Sequence, residues 1–178
     1  HTGQEGYNYH LMYLTNTEAG DLRILPTHRL IKNVIGFDED DVVKKLEENF
    51  IVKPIEDAHT LNEVIQGKQW AFGIIFKDSA YKIRLKPEAL DKMTWPFPDV
   101  VKALDLTVMH YFIIEKIIGI PGKDQRQSEC IDFDRSFSDC LTRVMKEESQ
   151  MAIITNEVTI DEVKKICNSG YTMPQKST

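Results

Sequence analysis

No two cysteines in this chain are spaced as Cys-x-x-Cys, and Cys130, Cys140 and Cys167 have no histidine series beside them. An odd, scattered count of this kind excludes a disulfide framework and a zinc cluster, and it fits a reducing cytoplasmic setting. Contiguous runs of lysine and arginine are missing too. With a net charge of −6 and a pI near 5.4, the sequence offers no basic stripe of the kind that holds a nucleic-acid backbone. Uninterrupted apolar runs such as Tyr111 to Ile114 fall far short of the ~20 residues needed to cross a bilayer as a helix. The glycine run of a phosphate loop is absent, as is the spacing of a calcium loop: the acidic run Asp38 to Asp41 reads as helix capping, and no metal site is expected.

The chain has 178 residues, of which 42% are hydrophobic, enough for one globular domain with its own core. The opening residues His1-Thr2-Gly3-Gln4-Glu5-Gly6 read as the middle of a loop, so a segment cut from a longer protein is expected. Trp95-Pro96-Phe97-Pro98 forms a stiff connector and marks residues 94–99 as the place where two lobes would divide.

Alternation and aromatic content predict a strand over Tyr7 to Thr15, and strand-like runs follow from Leu22 with a break at Pro26, over Phe50 to Ile55, and, as the strongest β signal, in a hairpin of Gln69 to Phe76 and Ala80 to Leu85. Cys130 to Phe133 and Met151 to Thr155 add two short ones. Helices are predicted after Asp38, after the capping-box pattern Thr60-Leu61-Asn62-Glu63, from Leu106 to Ile118 with Asp105 as N-cap, after Ser136, and after the capping box Thr159-Ile160-Asp161-Glu162. Pro121 to Glu129 is polar and reads as a mobile loop. Without a regular βαβ repeat, the order of elements points to α+β, a mainly antiparallel sheet packed by several helices. Lys82, Arg84 and Lys86 fall on one face of their strand, read as solvated.

Chemistry concentrates in Leu25-Pro26-Thr27-His28-Arg29, which sets an imidazole beside a guanidinium at a strand interruption. Neighbouring strand residues point to opposite faces, so one ligand meets both only where the chain twists or ends. His10 is a cross-strand neighbour in the predicted first hairpin, and His110 reads as a core histidine bonded to backbone.

Three segments together, Leu25-Pro26-Thr27-His28-Arg29, Leu104-Asp105-Leu106-Thr107-Val108-Met109-His110 and Met173-Pro174-Gln175-Lys176-Ser177-Thr178, resemble in this order the later part of the uncharacterised prokaryotic domain-of-unknown-function family 1015. Earlier in that family lies an Asp-Gly-His-His-Arg signature similar to ParB and sulfiredoxin-like proteins, a superfamily that includes nucleotide-using enzymes. This chain lacks that signature, and it lacks the aromatic and Pro-Lys segment that follows Lys-Ser-Thr. The resemblance implies a composite site of Thr27, His28, Arg29, Gln175, Lys176 and Ser177, completed by N-terminal and C-terminal segments of the same chain outside this sequence. Arg29 and Lys176 would hold a phosphorylated small molecule or nucleotide, and His28 would serve as acid or base. The competing expectations are a non-catalytic scaffold domain and a ParB-like DNA-binding protein, the latter disfavoured by the acidic charge.

Overall fold

The computed structural model describes residue 16, residues 24–171 and residue 173. The first predicted strand and its turn, with His10, lie outside these except for Asn16. Six strands form one sheet in the order β2-β4-β3-β6-β1-β5. They are β1 (His28–Ile31), β2 (Phe50–Pro54), β3 (Ala71–Ile75), β4 (Ala80–Leu85), β5 (Ile131–Asp134) and β6 (Met151–Ile154), and every pairing among them is antiparallel. The chain is thus α+β, as its pattern predicts.

The helices are α1 (Glu39–Asn49), α2 (Leu61–Ile65), α3 (Asp99–Lys102), α4 (Asp105–Val108), α5 (Phe137–Met145) and α6 (Ile160–Asn168), with a π-helical turn, Met109–Glu115, running on from α4. Both sheet faces are covered. On one, Phe50, Phe72 and Phe112 meet edge to face at centroid distances of 6.4 and 6.2 Å, in a core shared by α1 and the π-helix. On the other, α2 and α5 place Leu61, Ile65, Cys140, Leu141 and Val144 over Leu30, Ala71, Ile75, Ala152 and Ile154. Strand alternation decides which side chain enters which core.

Several local signals act as read. Asp38 caps α1 by accepting from the Asp41 amide at 2.7 Å, Ser136 caps α5, and both halves of the Thr159–Glu162 capping box form. Pro26 does interrupt its strand: Ile24 makes an isolated bridge to Val158, and regular pairing resumes at His28. Two caps differ. Thr60 makes no side-chain cap, because Asp57 takes the His59 amide at 3.0 Å and opens a 3-10 turn before α2. Asp105 is the first residue of α4 and not its cap; its carboxylate accepts from the Trp70 amide at 2.8 Å, and Trp70 Nε1 donates to the Ala103 carbonyl.

Gly73 sets how closely α2 approaches the sheet. A Cβ at this position would lie 3.2 Å from Ile154 Cβ and 3.2 Å from both methyls of Leu61. Ile154 and Leu61 are fully buried and cannot withdraw without moving their elements. Gly73→Ala is therefore expected to destabilise the fold by about 1–3 kcal/mol through overpacking. Urea unfolding checks this, and an unchanged midpoint contradicts it.

Candidate functional site

β1 lies inside the sheet between β5 and β6, so both of its faces are covered. Arg29 and His28 leave it on opposite sides. Arg29 has 0% exposure; its guanidinium donates to the Thr27 carbonyl, stacks 5.4 Å from the Phe133 ring centroid, and reaches His110 Nε2 at 3.1 Å. Burial pulls its pKa down to about 9, leaving it cationic at neutral pH.

A guanidinium can only donate, so His110 Nε2 accepts and Nδ1 carries the proton. That N–H is 2.6 Å from Gln125 Oε1, and Gln125 Nε2 donates to the carbonyls of His110 at 3.0 Å and Ile120 at 2.9 Å. The orientation of the Gln125 amide follows from these three bonds. Burial, reinforced by the Arg29 charge, pushes the His110 pKa down to about 3 against the opposing pull of Gln125. His110 is thus a core histidine as expected, held by side chains and not by backbone. The segment after Pro121, expected to be a mobile loop, is pinned to the core through buried Gln125.

His28 sits on the α5 side, edge-on to Phe137. Its Nδ1 accepts from the Thr155 amide at 3.2 Å, which puts the proton on Nε2. Burial, and then the Arg29 charge, lower its pKa to about 4, against Asp134. Thr27 is half-buried and offers its carbonyl to Arg29 and to the Thr155 hydroxyl. Gln175, Lys176 and Ser177 lie outside the described residues.

Beyond the Arg29–His110–Gln125 chain lies a cavity of about 630 Å³, within the size range of small-molecule sites. Its walls carry the aromatic rings of Trp95, Phe97, Phe133 and Tyr171, and Thr107, His110 and Gln125 are among its lining residues. Thr107 is buried, and its Oγ1 has no hydrogen-bond partner among the described residues. Gly122 brings the opposite wall in so closely that a Cβ there would sit 2.5 Å from the Trp95 ring.

Glu115, also on this lining, accepts from Trp95 Nε1 at 3.1 Å and from the Gly122 amide at 2.8 Å. The π-helix accounts for its position. Lys116 N–H bonds to the Tyr111 carbonyl at 3.0 Å and Ile118 N–H to that of Ile113 at 2.9 Å, both i→i−5. Such bonding stacks residue 115 over residue 110, whereas an α-helix would turn it roughly 140° away.

A second cavity of about 680 Å³ has Asp105, Thr155, Asn156 and Glu162 among its lining residues. Burial raises the Asp105 pKa to about 6, opposed by the Trp70 amide and supported by the Glu162 charge. Met173 touches the aromatic cavity and also a small recess adjoining the second one.

The six-stranded sheet and its covering helices define an antiparallel α+β domain. The chain belongs to the family described as "Protein of unknown function (DUF1015)", which it matches over residues 1–107. That match takes in Thr27, His28, Arg29 and Thr107. No curated protein matches. Among solved structures, the chain is similar to a conserved hypothetical protein from Pyrococcus furiosus, with a TM-score of 0.52 and 16% identity over 87% of this chain. It spans 54% of that protein's length. A likeness at this identity speaks for the fold alone.

Thr107, Gln125 and the aromatic walls were not singled out by sequence reasoning. Thr107 and His110 do share the segment Leu104 to His110, where a polar residue and an imidazole three positions apart in an apolar helix are the one available signal.

The buried histidines fix a pH dependence. Both have folded-state pKa values below the ordinary 6.5, so their contribution to stability is complete above pH 6.5 and is lost as pH falls toward about 4 for His28 and about 3 for His110. Asp105 acts oppositely: its raised pKa favours the folded state as pH falls through about 6. Two groups outweigh one. A net loss on the order of 2–3 kcal/mol is expected between neutral pH and pH ~4.5, read as a falling urea midpoint; a flat or rising profile contradicts the neutral assignment of both histidines.

Proposed function

We propose that this domain is the ligand-binding, accessory half of a larger cytosolic enzyme, taking a nucleotide or similar phosphorylated small molecule with its planar ring in the aromatic cavity. The observation that carries this reading is the ring-walled cavity whose lining includes buried Thr107, a residue whose hydroxyl has no partner among the described residues. Aromatic walls accept the face of a heterocycle, and one orphan hydroxyl selects an edge that can complete its hydrogen bond. His110 and Gln125 have their side-chain hydrogen bonds committed to each other, Arg29 and backbone, so they shape the floor without adding charge. Lys123, exposed on the lining, suits a phosphate left at the mouth.

Arg29 has a positioning part in this reading. It stands behind His110 and Phe133 and is absent from the lining, so it orients the floor and leaves direct phosphate contact to the rim. The length of the solved neighbour supports a partner half supplied by further chain.

Titration of the intact chain with adenosine, AMP and ADP, followed by Trp95 emission in a Trp70→Phe background, tests the reading. Binding is expected for a nucleoside or nucleotide, and Thr107→Val should weaken it about tenfold while leaving stability unchanged or raised, because it removes a buried hydroxyl that has no partner. Absence of binding by all three ligands, or binding indifferent to Thr107→Val, overturns it.

A further inference from the structure

A compact group of cations stands at the opposite end of the sheet from β5. The β2–β4 register sets Lys53 directly across from Lys82, and Arg84 follows Lys82 on the same face two residues on. This face is the one that α2 covers over β3, and α2 ends in the turn that carries Lys68. Lys68 Nζ donates to the Val64 carbonyl at 2.7 Å, and the Lys68 charge bears on Lys82. Arg84 is oriented by donating Nε to the Gln69 carbonyl at 3.2 Å.

None of the ion pairs among the described residues includes any of these four side chains. Among the other described cations, Lys32, Lys45, Lys77, Lys116 and Arg143 have an acidic partner. Like charges directly opposite on a sheet are destabilising. Guarding the outer strand β2 against edge pairing requires a lysine on that strand, and Lys53 provides it; the convergence of Lys68, Lys82 and Arg84 is left over. Partial burial, then Lys68, Lys53 and Arg84, hold the Lys82 pKa below its ordinary value, the electrostatic signature of cations facing each other.

We propose that Lys53, Lys68, Lys82 and Arg84 form a second ligand site, which binds the polyphosphate group of a small molecule. A multivalent oxyanion accepts from several ammonium groups at once, and the fork of Arg84 matches two of its oxygens. The four cations occupy two adjacent strands and one turn, a footprint suited to one or two phosphates. Duplex DNA would meet only this small patch on a chain of net charge −6, where nucleic-acid binding needs an extended basic surface. The site does not depend on the aromatic cavity, from which it is separated by the width of the sheet.

The test is titration of the intact chain with pyrophosphate, followed by amide NMR and calorimetry, with sodium chloride at matched ionic strength as reference. The expected result is perturbation centred on Lys53, Lys68, Lys82 and Arg84. Lys82→Gln and Arg84→Gln should each weaken binding by about tenfold, and Lys146→Gln, distant in sequence and exposed, should leave it unchanged. Lys82→Gln should also raise thermal stability in the absence of pyrophosphate, by relieving the repulsion. Perturbation equal to that from chloride, affinity unaffected by both site variants, or binding of a short DNA duplex at these residues without binding of pyrophosphate would each overturn the proposal.

Discussion

The placement of a guanidinium inside the sheet layer is the constraint on which the rest of the molecule turns. Arg29 is fully buried yet cationic, and leaving a buried charge without donors' partners is far costlier than any single apolar contact. Its surroundings are arranged accordingly. The Thr27 carbonyl is available because Pro26 has already broken the strand ladder; the Phe133 ring gives a π-face; and His110 is held as a neutral acceptor. Each of those arrangements recruits another element. The π-helix must deliver His110, and the segment after Pro121 must deliver Gln125 to fix the imidazole's proton. A polar chain therefore runs from the middle of β1 to the floor of the aromatic cavity, and the residues that satisfy a buried charge also line that cavity.

The two histidines illustrate how one strand divides its chemistry. His28 is adjacent to Arg29 in sequence, but pleating sends it into the α5 layer, where a backbone amide claims Nδ1. His110 comes from a remote helix and becomes the direct partner. Sequence adjacency thus marks the electrostatic coupling, since both imidazoles feel the Arg29 charge, while topology decides which of them lines the aromatic cavity.

Much of the architecture was legible because it rests on local rules. The β3–β4 hairpin shows in its apolar and aromatic strand residues around a polar turn, α1 and α6 announce their starts through Asp38 and Thr159, and the lack of a βαβ rhythm already implies antiparallel pairing. What escaped notice depends on side chains meeting across long separations. Asp105 looks like a helix cap but is spent on the Trp70 amide 35 residues away. Gln125 is one amide in a polar stretch until folding brings His110 to it. No run of lysine and arginine exists in the sequence, yet strand register and one turn assemble four cations from positions 53, 68, 82 and 84. Local composition carries periodicity well and carries convergence hardly at all.

The i→i−5 turn has an evolutionary consequence. Met109 to Ile114 are all buried, so the helix tolerates a shift of phase at either end without exposing an apolar residue to water. Loss of a single residue between 109 and 115 would restore ordinary winding and carry Glu115 away from the Trp95 indole and the Gly122 amide. The cavity wall would open while the sheet beneath it stayed intact. A length change of one residue at this spot is therefore a simple route by which a scaffold of this kind can acquire or discard a chamber.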